Sequence, residues 1–194
     1  MKATEQDILL WESFCKGDRE AFARLFRMYY GPMFLFGLKF IADRSRLEDA
    51  IHELFIELWQ SRSRADVVSV KAYLLKSLKY KLLKWRRSNG RPHLIEEWSA
   101  FEWSHENFLI EQQDDEEKKL LVLAILAQLS GRQKEIIYLK FYQNLTYAEI
   151  SEIMNINYQV ARNLLCQAIK AMKKLLSEMP HAHFPAGRGI QIRG

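Results

Sequence analysis

Proline and glycine are scarce in this chain: four and eight residues in 194. So few turn-forming residues leave room for few turns and favour long helices. Cysteine is scarcer still. Cys15 and Cys166 stand far apart, with no CxxC or Cys/His spacing around them. That excludes a disulfide framework or a zinc site and fits two free thiols in a reducing compartment. No apolar run reaches the ~18 residues of a membrane span. The N-terminal stretch "MKATEQDILLWESF" has acids within it and no long apolar core, so it does not read as a signal peptide. A Gly-rich phosphate loop and a catalytic carboxylate constellation are also lacking. Asp114, Asp115, Glu116 and Glu117 form a charge run of the kind found in solvated linkers. The expectation is a soluble, cytoplasmic protein that is not an enzyme and has no catalytic residues, metal or cofactor. His181 and His183, in the tail, are too isolated to be assigned a metal.

What is present is apolar surface in helical register. Hydrophobic residues make up 48% of the chain, enough to bury a core. Leu47, Ile51, Leu54, Phe55 and Leu58 form one stripe at i, i+4, i+7, i+8 and i+11. Leu74, Leu78, Leu82 and Trp85 form another, and Leu120, Leu123, Ile125, Leu126 and Leu129 mark a third helix. Strand-like alternation is not convincing anywhere. The fold class expected is all-α, as two small helical domains.

Charge divides the chain further. The formal net charge is +5, which favours an anionic partner. Residues 71–91 hold eight Lys/Arg and no acid, whereas residues 96–117 hold nine acids and no Lys or Arg. "SNGRP" at 88–92 stops the basic helix, because Asn and Gly suit a left-handed cap and Pro92 cannot continue it. The domain boundary is therefore placed in an acidic linker, 92–118, between domains at 1–91 and 119–179. Trp98, Phe101, Trp103 and Phe108 in that linker are expected to pack locally. A disordered tail is expected at 180–194.

One stretch suggests chemistry: "LTYAEISEIMNINYQVARNLL", Leu145–Leu165. Thr146 and Glu149 form a capping box, so a helix starts at Tyr147. Asn155 takes the corner, since Asn tolerates the left-handed conformation best among non-glycine residues. Asn157 caps a second helix. Ile150, Met154, Ala161 and Leu164 face inward in this register, Ile156 plugs the corner, and Ser151 sits where the helices come closest. Tyr158, Gln159, Arg162, Asn163 and Gln167 then point outward, the side-chain types that pair with base edges. Lys170, Lys173 and Lys174 follow, suited to phosphates. The basic helix adds Lys71, Lys76, Lys79, Lys81, Lys84, Arg86 and Arg87, interleaved with Tyr73, Tyr80 and Trp85. Cations neutralise phosphate and aromatics stack on unpaired bases.

These residues resemble a known family. "EDAIHELFIELW" (48–59) is similar to region 2.2 of group IV, or extracytoplasmic-function, sigma factors. "VKAYLLKSLKYKLLKWRR" (70–87) resembles their regions 2.3 and 2.4, and residues 126–175 resemble region 4. "NYQVARNL" resembles the variant in the subgroup near the iron-transport regulators. The resemblance implies a sigma region 2 bundle and a region 4 helix-turn-helix joined by the linker. It implies binding to core RNA polymerase, through Asp49, Glu53 and Glu57 to the β′ clamp helices. A β-flap contact falls to the helix holding Ile136, Ile137 and Leu139. It assigns capture of the opened −10 element to Lys71, Tyr73, Lys76, Lys79, Tyr80, Lys84 and Arg87. Reading of the −35 element falls to Tyr158, Gln159, Arg162 and Asn163, with Gln167 and Lys170 beside them. His52 stands where the family commonly has Gln, Ala50 where it has Leu, and Leu164 where many members have Arg. An anti-sigma factor, often a membrane protein in this family, is a further implied partner. The alternative is a stand-alone helix-turn-helix regulator, which leaves the 48–59 and 71–91 helices without joint purpose.

Overall fold

Six helix starts carry a polar side chain that accepts from the first-turn amides. They are Asp18, Asp43, Ser69, Ser130, Thr146 and Asn157. Each satisfies donors that a helix leaves orphaned at its N-terminus. The computed structural model describes residues 5–61, 67–88 and 116–178, and every regular element among them is helical. In chain order these are α1 (Glu5–Cys15), α2 (Arg19–Gly37), α3 (Arg44–Ser61) and α4 (Val70–Ser88). The second half holds α5 (Glu116–Ala127), α6 (Gly131–Ile137), a π-helical turn (Tyr138–Tyr142), α7 (Tyr147–Met154) and α8 (Tyr158–Glu178). Residues 89–92 of the "SNGRP" stop, most of the acidic linker with its aromatics, and the tail lie outside the described residues. α5 begins at Glu116, within the span expected as linker.

The first half is a bundle. α2 packs on α1, α3 and α4, and α3 also packs on α4. The predicted stripes are buried: Leu47, Ile51, Leu54, Phe55 and Leu58 from α3, and Leu74, Leu78 and Leu82 from α4. Phe14, Phe22, Phe26, Phe55 and Trp59 form a chain of ring contacts across α1, α2 and α3. A Cβ added at Gly37 would run into Leu47, so this glycine lets α2 approach the start of α3 closely.

The second half folds around Ile136, Leu139, Ile150, Met154 and Ala161, all inaccessible to solvent. The capping box of Thr146 and Glu149 is complete, and Asn155 adopts φ 50°, ψ 52°, the left-handed corner. Leu165 rather than Leu164 is the buried leucine of α8; Leu164 is half-buried. The helical period explains the difference. Counting from Ala161, i+4 and i+7 give Leu165 and Ala168, both buried. Replacing Asn155 with Val places a β-branched residue in that corner. The expected loss is about 1–2 kcal/mol, read as a lower midpoint in calorimetry, whereas Asn155→Gly should stay close to wild type.

The two halves are not independent. Their buried residues form one continuous hydrophobic cluster, and α4 packs against α7.

Candidate nucleic-acid and polymerase interface

α8 presents the expected reading face. Tyr158, Gln159, Arg162, Asn163, Gln167 and Lys170 are all exposed. The opposite face holds Ala161, Leu165 and Ala168 against the core. Gln159 donates through Nε2 to Asn163 Oδ1 at 3.0 Å, which fixes two amide groups one turn apart. The Tyr158 ring stands edge-on to Tyr147, with centroids 5.8 Å apart. Lys173 and Lys174 extend the exposed basic row, and Lys174 meets Glu178 at 3.7 Å.

α4 divides its seven candidate residues between two faces. Tyr80, Lys84 and Arg87 are exposed, and half-buried Lys76 continues their line at i, i+4, i+8 and i+11. Tyr73 is half-buried, its ring edge-on to Trp11 at 5.3 Å. Lys71 and Lys79 turn instead toward the second half. Lys71 donates through Nζ to the Gln143 carbonyl at 2.8 Å. Lys79 is 6% exposed, and its Nζ lies 2.7 Å from Glu135 Oε1 and 3.3 Å from the Ile153 carbonyl. Burial pushes the Lys79 ammonium below its usual range and the Glu135 carboxyl above its own, each opposed by the partner's charge. The 2.7 Å contact is that of a charge-assisted hydrogen bond. α4 thus holds both a solvent-facing row and a row occupied by α6, α7 and the turn between them.

α3 carries the acids. Asp49, Glu53 and Glu57 lie exposed along one line. Lys81 of α4 reaches across to Glu53 at 3.2 Å and Glu57 at 2.6 Å, and Arg46 meets Glu53 at 3.6 Å. These bridges were not apparent from sequence, because the α3–α4 pairing that makes them is tertiary. His52 stacks on Phe26 with centroids 5.6 Å apart. Trp85 is half-buried, and the Arg46 guanidinium lies over its ring at 5.4 Å.

The expected flap contact rests on the helix that holds Ile136, Ile137 and Leu139. Ile136, Ile137 and Leu139 are all buried in the core. The apolar side chains that this segment exposes are Phe141 and Tyr142, because the π-helical turn rotates them outward. Sequence reasoning also missed Glu135 and Gln143. The one available signal was an acid heading the apolar run "EIIYL". No disulfide joins Cys15, which is half-buried, to Cys166, which is exposed. Among the described residues no acid, His or Cys cluster suits a metal, and no helix is long and apolar enough to cross a membrane.

Comparison with known proteins fits this geometry. The family described as Sigma-70 region 2 matches residues 25–92, and Sigma-70 region 4 matches residues 119–172. Together they span more than half of the chain. The ECF RNA polymerase sigma factor SigK of Mycobacterium sp. (strain JLS) is 24% identical over 183 residues, covering 89% of this chain and 91% of its own. SigK of Mycobacterium ulcerans (strain Agy99) is 22% identical over 177 residues, with 86% and 91% covered. Among solved structures, CnrH in complex with the cytosolic domain of CnrY superposes with a TM-score of 0.58 at 15% identity, over 88% of this chain and 97% of that one. RpoE of Bartonella quintana, in complex with the anti-sigma factor NepR, gives 0.55 at 17% identity, over 81% and 97%. These two likenesses concern the fold. With both regions present in order, and with similarity to ECF sigma factors along nearly nine-tenths of its length, the chain belongs to the sigma-70 family as an ECF sigma factor, a non-enzymatic initiation factor that directs RNA polymerase to promoters.

Proposed function

We propose that α8 reads the −35 element through Tyr158, Gln159, Arg162 and Asn163, with Gln167 and Lys170 anchoring the flanking backbone. The observation that carries this reading is the division of α8: six polar side chains exposed on one side, an apolar seam buried on the other. Arg presents a bidentate fork to guanine and the amides do the same for adenine. Lys76, Tyr80, Lys84 and Arg87 of α4, with Tyr73, Lys71 and Lys79, hold the opened −10 strand. Unstacking costs a few kcal/mol per base step, which stacking on Tyr80 and phosphate contacts offset. Asp49, Glu53 and Glu57 meet the β′ clamp helices, and region 4 meets the β-flap through Phe141 and Tyr142. The working compartment is the cytoplasm, where polymerase resides. Residues 1–91 and 119–179 act as the two binding domains, with 92–118 between them and 180–194 as a tail. An anti-sigma factor, membrane-borne as often in this family, restrains the protein. "NYQVARNL" favours the subgroup near the iron-transport regulators.

Arg162→Ala tests the central assignment. In run-off transcription with purified core polymerase, promoter discrimination at one −35 position should relax by about 1–3 kcal/mol, roughly 5- to 150-fold. Core binding should be unchanged. Unaltered selectivity would remove α8 as the reading helix.

A further inference from the structure

The first two turns of α8 hold an apolar side chain as well as polar ones. Around the helix axis the outward residues run in the order Val160, then Asn163 and Gln159, then Arg162, with Ala161, Leu165 and Ala168 on the opposite side. Val160 is apolar yet 40% exposed, and it lies outside the hydrophobic core cluster. Its amide donates to the Asn157 side chain at 2.8 Å, so the capping residue fixes the turn that carries it. Half-buried Leu164 continues this apolar flank one turn on. Gln159 and Asn163 are coupled: Gln159 Nε2 donates to Asn163 Oδ1 at 3.0 Å, and neither side-chain amide has another partner among the described residues. What the pair leaves to solvent is an acceptor, Gln159 Oε1, and a donor, Asn163 Nδ2, one turn apart.

We propose that Gln159, Asn163 and Val160 act as one unit that selects an A·T pair: the coupled amides take the adenine edge, and Val160 takes the methyl group of a thymine next to it. This rests on α8 as the −35 reader and adds which bases its parts select. Adenine shows the major groove a donor at N6 and an acceptor at N7. The open acceptor and donor of the amide pair are the complement of that pattern. Each amide also holds the other in place, whereas a lone amide must be ordered on binding, at a cost in side-chain freedom. Thymine alone among the four bases carries a methyl group on its major-groove edge. An exposed valine beside the amides gives that methyl an apolar partner, which a serine or lysine there would not. The N-terminal turns of a recognition helix are the part that reaches base edges. The Arg162 fork lies on the far side of the amides from Val160, so the guanine it takes lies beyond the adenine. Across the groove the −35 site should therefore offer thymine, adenine and guanine in that order.

The test uses holoenzyme assembled from the full chain and core polymerase. Selection from duplex promoters randomised over the −35 region gives the preferred site. Fluorescence anisotropy then measures binding to that site with each thymine replaced by deoxyuridine, which lacks the methyl group, or each adenine by 7-deazaadenine, which lacks the N7 acceptor. One deoxyuridine should weaken wild-type binding about fourfold, the worth of burying one methyl-sized group. One 7-deazaadenine should weaken it about fivefold, the worth of one hydrogen bond. Val160→Ala should remove most of the first factor and leave the second intact, and Asn163→Ala should do the reverse. Gln159→Ala, Asn163→Ala and the double variant should lose similar amounts, because groups that act together are not additive. All three positions are exposed, where substitution changes stability little, and thermal melts check this. Absence of either effect in wild type, its survival in the matching variant, or an additive loss in the double variant overturns the unit while leaving α8 as the reader. A selected site with no A·T pair beside the position that Arg162→Ala relaxes does the same. Selection that no substitution in α8 alters overturns the −35 assignment itself, and this inference with it.

Discussion

Lys79→Met is expected to destabilise the chain by about 3–5 kcal/mol in urea unfolding at neutral pH, the usual cost of stranding one member of a buried ion pair. The stranded group is Glu135, with no surface accessible to solvent. Its carboxyl is already raised by burial, and the charge of Lys79 is the largest opposing influence. Without that charge the folded-state value rises further above the unfolded one. A carboxyl shifted upward carries no penalty below its unfolded pKa, about 4.3. The penalty grows as pH rises through the folded value. Lys79→Met should therefore approach wild-type stability in mild acid and lose it toward neutrality. Lys79→Met combined with Glu135→Leu should recover most of the loss at all pH values, because apolar residues of similar volume replace buried pairs with little cost or a gain. A single variant within about 0.5 kcal/mol of wild type at neutral pH, the range of an ordinary surface change, would show that the pair is not buried in solution.

Reversal of two acids on α3, Asp49→Lys with Glu53→Lys, should weaken binding to core polymerase about a hundredfold or more, since each like-charge juxtaposition across an interface costs several kcal/mol. Surface plasmon resonance with immobilised core enzyme would measure it. Glu53 also bridges Arg46 and Lys81, so a structural effect must be separated. Those pairs are partly exposed, and exposed bridges contribute about 0–1 kcal/mol. The melting temperature should accordingly shift little while affinity falls. An undiminished affinity would move the polymerase contact away from α3.

Local features of this fold were legible residue by residue. The capping box at Thr146 and Glu149, the Asn155 corner and the Asn157 cap are each set by a few neighbouring side chains, and each stands as expected. The α3 and α4 stripes were legible for the same reason: a period of 3.6 leaves little choice of buried face. What depends on distant pairing was not. Lys79 looks like one more cation in a basic run, and its partner is 56 residues away. Lys81, similarly placed in the run, serves α3 instead. Which side chains the helix holding Ile136, Ile137 and Leu139 leaves outside was not legible either, since all three are buried. A π-helical turn, which has no sequence signature here, puts Phe141 and Tyr142 outside in their stead. The division of α4 into an exposed row and a row that faces the second half required both halves of the molecule.

A left-handed asparagine stands at each end of the segment that carries α7: Asn144 at φ 51° and Asn155 at φ 50°. Between them α7 is an eight-residue helix packed against α8, and Ile150, Met154, Ala161 and Leu165 lie in the same buried core. The Ile153 carbonyl and Glu149, which meet Lys79 and Lys71 of α4, therefore belong to the same packed unit as α8, the helix proposed to read the −35 element. The surface proposed to read bases is thus tied through α7 to the strand-holding face proposed on α4, and the two share one continuous scaffold.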